Sequence, residues 1–461
     1  MNDKYSYLFK NIGILTISNF SSKILVFLLV PLYTSVLTIE EYGIYDIVIS
    51  TVQIVFPILT LNIVDATMRF LLDRGYSKKE IISISYVYIL RSFFLVGFIL
   101  ILNSQIKFIP IIENINLLVF LYYVTFVLNQ YFIQICKGLE KFWDLGIASL
   151  LSTIVMLIAN IVFLIVFKWT LFGFFLATIL SQCVASIYYI FRLRYNKYLI
   201  KVNNQELKEE MIRYSVPLIF TIIGWWINAT SSRYIVTYIC GIGANGILSI
   251  AYKIPSIINV CQNIFLQAWQ VSAIKNYEKN SQCFYDNVFI YYNFTMCIVC
   301  SILIILSKIL ATILYAKDFY IAWQYVPFLL ISIVINSMAG FIGSILAAIK
   351  NTNIMAKSAI YGAISNIIFS IIFIYFWGIQ GATIATCMSS YIIYLIRTKC
   401  IKDYINDKSF HRIYLTWSLL ILQAIIEIYS SYWFIELIIM MSIILLHRNV
   451  IKLKIKGRCI R

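Results

Sequence analysis

Long apolar runs follow one another from Ile12 to His447, with short charged segments between them. Most are long enough to cross a bilayer, which takes roughly 20 residues. They predict about fourteen membrane-spanning helices. The first six cover residues 12–35, 43–64, 81–103, 115–136, 145–167 and 170–191. A polar stretch, 192–213, precedes six more at 214–240, 243–268, 284–308, 322–349, 354–377 and 380–396. A last close pair covers 413–429 and 432–446. The fold expected is an all-α polytopic membrane protein. Six is even, so both sets of six enter the membrane from the same side. That predicts two parallel six-helix lobes around a central cavity, followed by two C-terminal helices. The expected division is 1–200 for the first lobe, 201–403 for the second, and 404–461 for the last two helices and a basic tail. The charged segment Lys201–Arg213 is expected to lie as an interfacial helix.

A shift of about 203 residues brings Gly43 onto Gly246, Ile44 onto Ile247 and Ile47 onto Ile250, each set at a short turn between the first two spans of its lobe. The identity is slight, but the hydropathy repeats with it.

Charge supports the count. The chain is 61% hydrophobic and only 12% charged, and its net charge is +17. When alternate loops are assigned to opposite faces, one face collects nearly all the Lys and Arg. The other keeps only Lys107, Lys168 and Lys317. The positive-inside rule then places both termini in the cytoplasm and accounts for the net charge with no nucleic-acid partner. Membrane lipids are the surroundings, and the basic tail could also hold anionic headgroups. All outer loops are short and leave no room for a folded extracellular domain.

The cysteines are scattered through apolar runs. Cys297 and Cys300 form a C-x-x-C inside a predicted helix, read as a chance spacing of small residues and not as a redox pair. The only histidines, His411 and His447, are far apart, so a histidine-based zinc site or a Ser-His triad is not expected. No catalytic residue, metal or cofactor is expected, and the protein is read as a non-enzyme. Coupling to a proton gradient, a sodium gradient or the membrane potential is the energy source left.

The chemistry must then lie in polar groups at membrane depth, where a charge costs at least ~2.5–3.5 kcal/mol. Lys23, Arg91, Arg233 and Lys253 fall inside apolar runs and are the candidates for a cation-lined, substrate-binding cavity. Lys308 lies near an outer end and is expected to snorkel. Of the few acids, Asp46 and Asp65 are candidate coupling residues, with Asp65 expected to pair with Arg69 at i,i+4. Arg and Lys in low dielectric would attract phosphate. Nearby Asn19, Ser21, Ser22, Gln130, Gln134, Asn228, Thr230, Ser231 and Ser232 could meet sugar hydroxyls or pack helices together. Pro31, Pro57, Pro217 and Pro255 interrupt the first two spans of each lobe and are candidate hinges.

With these residues in view, the chain resembles the polysaccharide exporters of the multidrug/oligosaccharidyl-lipid/polysaccharide (MOP) superfamily, the Wzx-type O-antigen flippases. The stretches that carry the resemblance are Pro31-Leu-Tyr-Thr-Ser-Val-Leu-Thr-Ile-Glu-Glu-Tyr-Gly-Ile-Tyr-Asp, Ala66-Thr-Met-Arg-Phe, Tyr214-Ser-Val-Pro-Leu-Ile, Ser232-Arg-Tyr-Ile-Val, Ser249-Ile-Ala-Tyr-Lys-Ile-Pro and Gln267-Ala-Trp. The resemblance implies transfer of an undecaprenyl-diphosphate-linked oligosaccharide, an O-antigen or capsule repeat unit, from the cytoplasmic to the outer leaflet of a bacterial inner membrane. Other polysaccharide-assembly proteins are the implied partners. One departure is that Ser232 stands before Arg233 where the family often has Asp, which removes an acid that ion coupling would use. The alternatives are another MOP-type cargo, lipid II or a drug/cation antiport, and then a membrane O-antigen polymerase. The last would need the large outer loop that this chain lacks.

Overall fold

Thr38 starts the first long helix by a capping box. Its hydroxyl accepts from the Glu41 amide at 3.2 Å, and the Glu41 carboxylate accepts from the Thr38 amide at 2.9 Å. The computed structural model describes residues 27–447 apart from 74, 203, 276–281, 350, 402–406 and 431. Lys23 and most of the first predicted span lie outside the described residues.

Among the described residues the helices are α1 (Val30–Val36), α2 (Ile39–Leu59), α3 (Ile63–Leu71), α4 (Lys78–Ile106), α5 (Asn116–Gly138), α6 (Phe142–Asn160), α7 (Thr170–Leu193) and α8 (Gln205–Cys240). They continue as α9 (Ile242–Ala251), α10 (Lys253–Lys275), α11 (Gln282–Ile305), α12 (Ser307–Leu314), α13 (Val326–Ala348), α14 (Thr352–Thr398), α15 (Asp407–Tyr429) and α16 (Trp433–Leu446). The described residues form no strand. Nine helical segments among them are long and apolar enough to cross a membrane. Gly43 and Gly246 each occupy the fifth position of their helix, α2 and α9.

The packing divides the chain into two compact units, with the boundary between Trp226 and Ile227 inside α8. In the first unit an aromatic cluster ties α1 and α2 to α7. The Tyr45 ring lies 4.0 Å from that of Phe174, and its hydroxyl meets Thr178 Oγ1 at 2.8 Å. The Tyr131 hydroxyl donates to the Ile82 carbonyl at 2.7 Å and joins α5 to α4. In the second unit Trp269 stacks on Phe341 at 4.2 Å, and the Trp417 indole donates to Asn293 at 3.1 Å.

Two expectations are corrected. The segment before the seventh span is no separate interfacial helix, because Gln205–Arg213 runs unbroken into α8, a helix of 36 residues. Tyr76 anchors this extension by donating to Glu210 at 2.7 Å, a bond that raises the Tyr76 pKa. Lys308, whose side chain is 31% exposed, has a partner that the sequence did not show. Its ammonium donates to the Glu427 carbonyl at 3.0 Å and lies 3.7 Å from the Glu427 carboxylate, which is itself buried and accepts from Ser307. The pairing offsets part of the cost of burying the acid. Arg69 pairs with Asp73 at 3.8 Å, leaving Asp65 to other partners.

Candidate functional site

Each of the two units holds a group of polar side chains on apolar helices. In the first, the chain breaks between α2 and α3. Pro57 cannot donate within α2, and four and five residues later Leu61 and Asn62 take left-handed conformations, with φ of 51° and 49°. The Asn62 amide closes the break by donating to the Pro57 carbonyl at 2.7 Å. Asp65 thus falls in the first turn of α3, where a helix N-terminus favours an acid. Its carboxylate accepts from the Gln134 side chain at 2.7 Å and the Asn62 side chain at 3.0 Å. These bonds hold the acid against α5 while Arg69 stays exposed, so the expected i,i+4 pair does not form. Around this group is a cavity of about 290 Å³, reached by Gln53, Gln130, Gln134, Asn62 and Asp65 and walled by Phe56, Phe126 and Ile222. Asp46, one helix turn beyond Tyr42 on α2, is half-buried and is not among the residues that line it.

Asp65→Leu is expected to leave the Gln134 and Asn62 amides without their acceptor, at about 1–3 kcal/mol for each buried donor. The thermal midpoint of the purified protein in detergent checks this, with Asp73→Leu on the exposed turn as the neutral comparison.

In the second unit the seventh predicted span meets the break between α9 and α10. The Arg233 guanidinium lies 5.1 Å from the centre of the Tyr252 ring, and Tyr252 is the residue that precedes Lys253. Arg233 and Lys253 are both half-buried. The structure therefore sets Arg233 against the residue next to Lys253, with its guanidinium over a ring face. Beside them a polar knot joins α8 to α14. Ser232 donates to Asn366 at 2.9 Å, Ser370 donates to Ser232 at 3.2 Å, and Asn366 donates to the Asn228 carbonyl at 3.1 Å. Ser232, the residue before Arg233, is thus used for helix pairing.

Arg91 is placed differently. It lies in the first unit, exposed, over the Tyr88 ring at 5.2 Å, and lines a hollow of about 360 Å³ with Lys201 and Lys208. Along α4 its neighbours Val87, Phe94, Leu95 and Phe98 are exposed apolar residues.

The prolines differ in setting. Pro31 and Pro255 sit in the first turns of α1 and α10, each just after a break, Pro57 lies at the end of α2 just before one, and Pro217 lies exposed within the uninterrupted α8. A first-turn proline costs no helical hydrogen bond. Sequence reasoning missed Gln53, Asn62, Tyr252, Asn366 and Ser370. Gln130 and Gln134 carried the usable signal, since two glutamines at i,i+4 in an apolar run share one helix face.

A family model described as polysaccharide biosynthesis protein matches residues 8–270, more than half of the 461-residue chain. The chain belongs to the polysaccharide biosynthesis protein family. Comparison with curated proteins gives no match. Among solved structures, the fold is similar to that of the lipid II flippase MurJ in its inward closed conformation. That match has a TM-score of 0.73 at 17% identity and covers 95% of this chain and 100% of that one. An inward-facing multidrug resistance MATE family transporter of the MOP superfamily matches with a TM-score of 0.62 at 15% identity, over 87% of this chain and 95% of that one. A MOP superfamily transporter from Pyrococcus furiosus Vc1 matches with 0.59 at 13% identity, over 88% and 96%. The family member described here is thus a multi-pass membrane protein with the MOP transporter fold.

Proposed function

We propose that this family member is a flippase. It carries an undecaprenyl-diphosphate-linked oligosaccharide, an O-antigen or capsule repeat unit, from the cytoplasmic to the outer leaflet of a bacterial inner membrane. The observation that carries the reading is the family match, on a fold shared with membrane transporters. Arg233 and Lys253 support it chemically. A diphosphate is the anion that a fork-shaped guanidinium and a mobile ammonium suit together. Their cost at membrane depth asks for a function. Lys23 is the third cation proposed to contact the diphosphate. Asp65 and Asp46 are the acids proposed for coupling to a proton or sodium gradient, and both termini are placed on the cytoplasmic side by the charge asymmetry.

The test is deletion of the gene followed by analysis of lipid-linked oligosaccharides. Complete repeat units are expected to accumulate on the inner leaflet and to clear when the gene is restored. Unchanged surface polysaccharide with no accumulated intermediate would overturn the reading. A lipid II-type cargo is the second reading, favoured by the similarity to the lipid II flippase. Accumulation of lipid II in the same deletion would select it.

A further inference from the structure

At one end of the first unit, three segments far apart in sequence bring five cations around one hollow of about 440 Å³. Lys79 comes from the start of α4, Lys141 from the turn before α6, and Arg192, Arg194 and Lys197 from the end of α7 and the turn after it. Arg192 is held by the buried Asp144, whose Oδ1 accepts from its Nε at 2.8 Å and from the Tyr188 hydroxyl at 3.1 Å. That carboxylate offsets one charge. Among the described residues no carboxylate forms a salt bridge with Lys79, Lys141, Arg194 or Lys197. A mere excess of basic loop residues, as the positive-inside rule produces, has no reason to converge on one concavity.

The surroundings tell what the concavity fits. It lies at the ends of two helical segments long and apolar enough to cross a membrane, Phe142–Val166 and Thr170–Leu193. Two exposed apolar stripes start at its edge. On α6 they are Trp143 and Ile147, 62% and 41% exposed, continued by Ile154 and Ile158. On α7 they are Phe191 and Ile187, 77% and 51% exposed. Trp143 stands two residues from Lys141, and Phe191 directly precedes Arg192. A water-borne anion has no use for such stripes. A nucleic acid or an acidic protein would meet them as a cost. A phospholipid satisfies both parts at once, its phosphate in the hollow and its acyl chains along the stripes.

We propose that this hollow binds the phosphate headgroup of an anionic phospholipid, which remains in contact with α6 and α7. The proposal goes beyond the transport reading and does not depend on it. Each cation near a membrane surface adds about five-fold to the preference for an anionic lipid.

The test uses the full-length protein in vesicles of equal parts phosphatidylglycerol and phosphatidylcholine, with bromine on the chains of one lipid or the other. Bromine quenches the tryptophan it touches, and the share that comes from Trp143 is read by subtracting a Trp143→Phe variant. Brominated phosphatidylglycerol is expected to quench Trp143 several-fold more than brominated phosphatidylcholine. The triple variant Lys79→Gln/Lys141→Gln/Lys197→Gln, which leaves Arg194 as the one cation without a carboxylate, is expected to shrink the difference several-fold, while the corresponding Lys→Arg triple keeps it. Equal quenching by both lipids in the unsubstituted protein would overturn the proposal, whether or not the Gln triple inserts. An excess undiminished in an inserted Gln triple would overturn it too. An excess removed by millimolar inorganic phosphate, but not by sodium chloride of matched ionic strength, would assign the hollow to the free anion instead.

Discussion

Replacing Arg233 by Gln is expected to cut flipping of the lipid-linked glycan by about ten- to a hundred-fold while leaving the amount of membrane-inserted protein unchanged. The size follows from what Gln removes. A charge-assisted hydrogen bond is worth about 1.5–3 kcal/mol, and each 1.4 kcal/mol is a factor of about ten. The guanidinium also sits over the Tyr252 ring at 5.1 Å, a contact that Gln cannot make and that positions the fork. Arg233→Lys should fall between, since it keeps the charge and loses the bidentate geometry. Lys253→Gln should cost a similar factor. If both cations hold the same diphosphate, the double variant should lose less than the product of the two single losses. The measurement is the rate at which a fluorescent lipid-linked oligosaccharide reaches the opposite leaflet in proteoliposomes. Wild-type rates in both single variants would leave the phosphate contact without support, even if the protein proved to be a flippase by deletion.

What the sequence made legible is governed by range. Helix positions follow from runs of local hydropathy, and the predicted spans 81–103, 115–136 and 170–191 lie within α4, within two residues of α5's bounds, and within α7. Partners far apart in sequence leave no such trace. Asp65 could be read only against its neighbour Arg69, whereas its partner Gln134 stands 69 residues away. Arg397 reads as one more basic loop residue at the end of a span. The structure buries it to 6% exposure, donating to Ser358 at 2.9 Å and to the Ala339 carbonyl at 2.8 Å. Nothing local distinguishes it from Lys399 two positions on, which is exposed. Prolines carry no local sign of their setting. Whether a missing amide matters depends on where the helix begins: Pro31 lies in a first turn, while Pro57 lies at the end of α2 just before a break. Asn62, which takes the left-handed conformation there, is the residue type that tolerates it, and only that preference was visible.

The same reasoning points to the hairpin inside α14 as the place where one methyl group does most damage. Residues 354–377 and 380–396 read as two spans, and the helical segment Thr352–Thr398 does fold back on itself at Gly378, where φ is 55° and ψ is −136°. No side chain fits that conformation without a cost of about 1–3 kcal/mol. Three residues on, Gly381 is pressed against the Phe373 carbonyl, so a Cβ there would overlap backbone atoms that cannot rotate aside. The two arms are also in contact beyond the turn, with Gly362 against the Ile393 side chain. Opening the turn to relieve Gly381→Ala would therefore separate surfaces already packed, including the Arg397 to Ser358 bond that closes the far end. The expected loss is about 3–5 kcal/mol, the range reached when strain and lost packing combine. It should show as a fall of roughly 3–10 °C in the thermal midpoint in detergent. Tyr375→Ala, 75% exposed in the same turn, should stay within about 0.5 kcal/mol of the unsubstituted protein. A Gly381→Ala protein that melts with the wild type would mean that the two arms do not approach as closely as this hairpin requires.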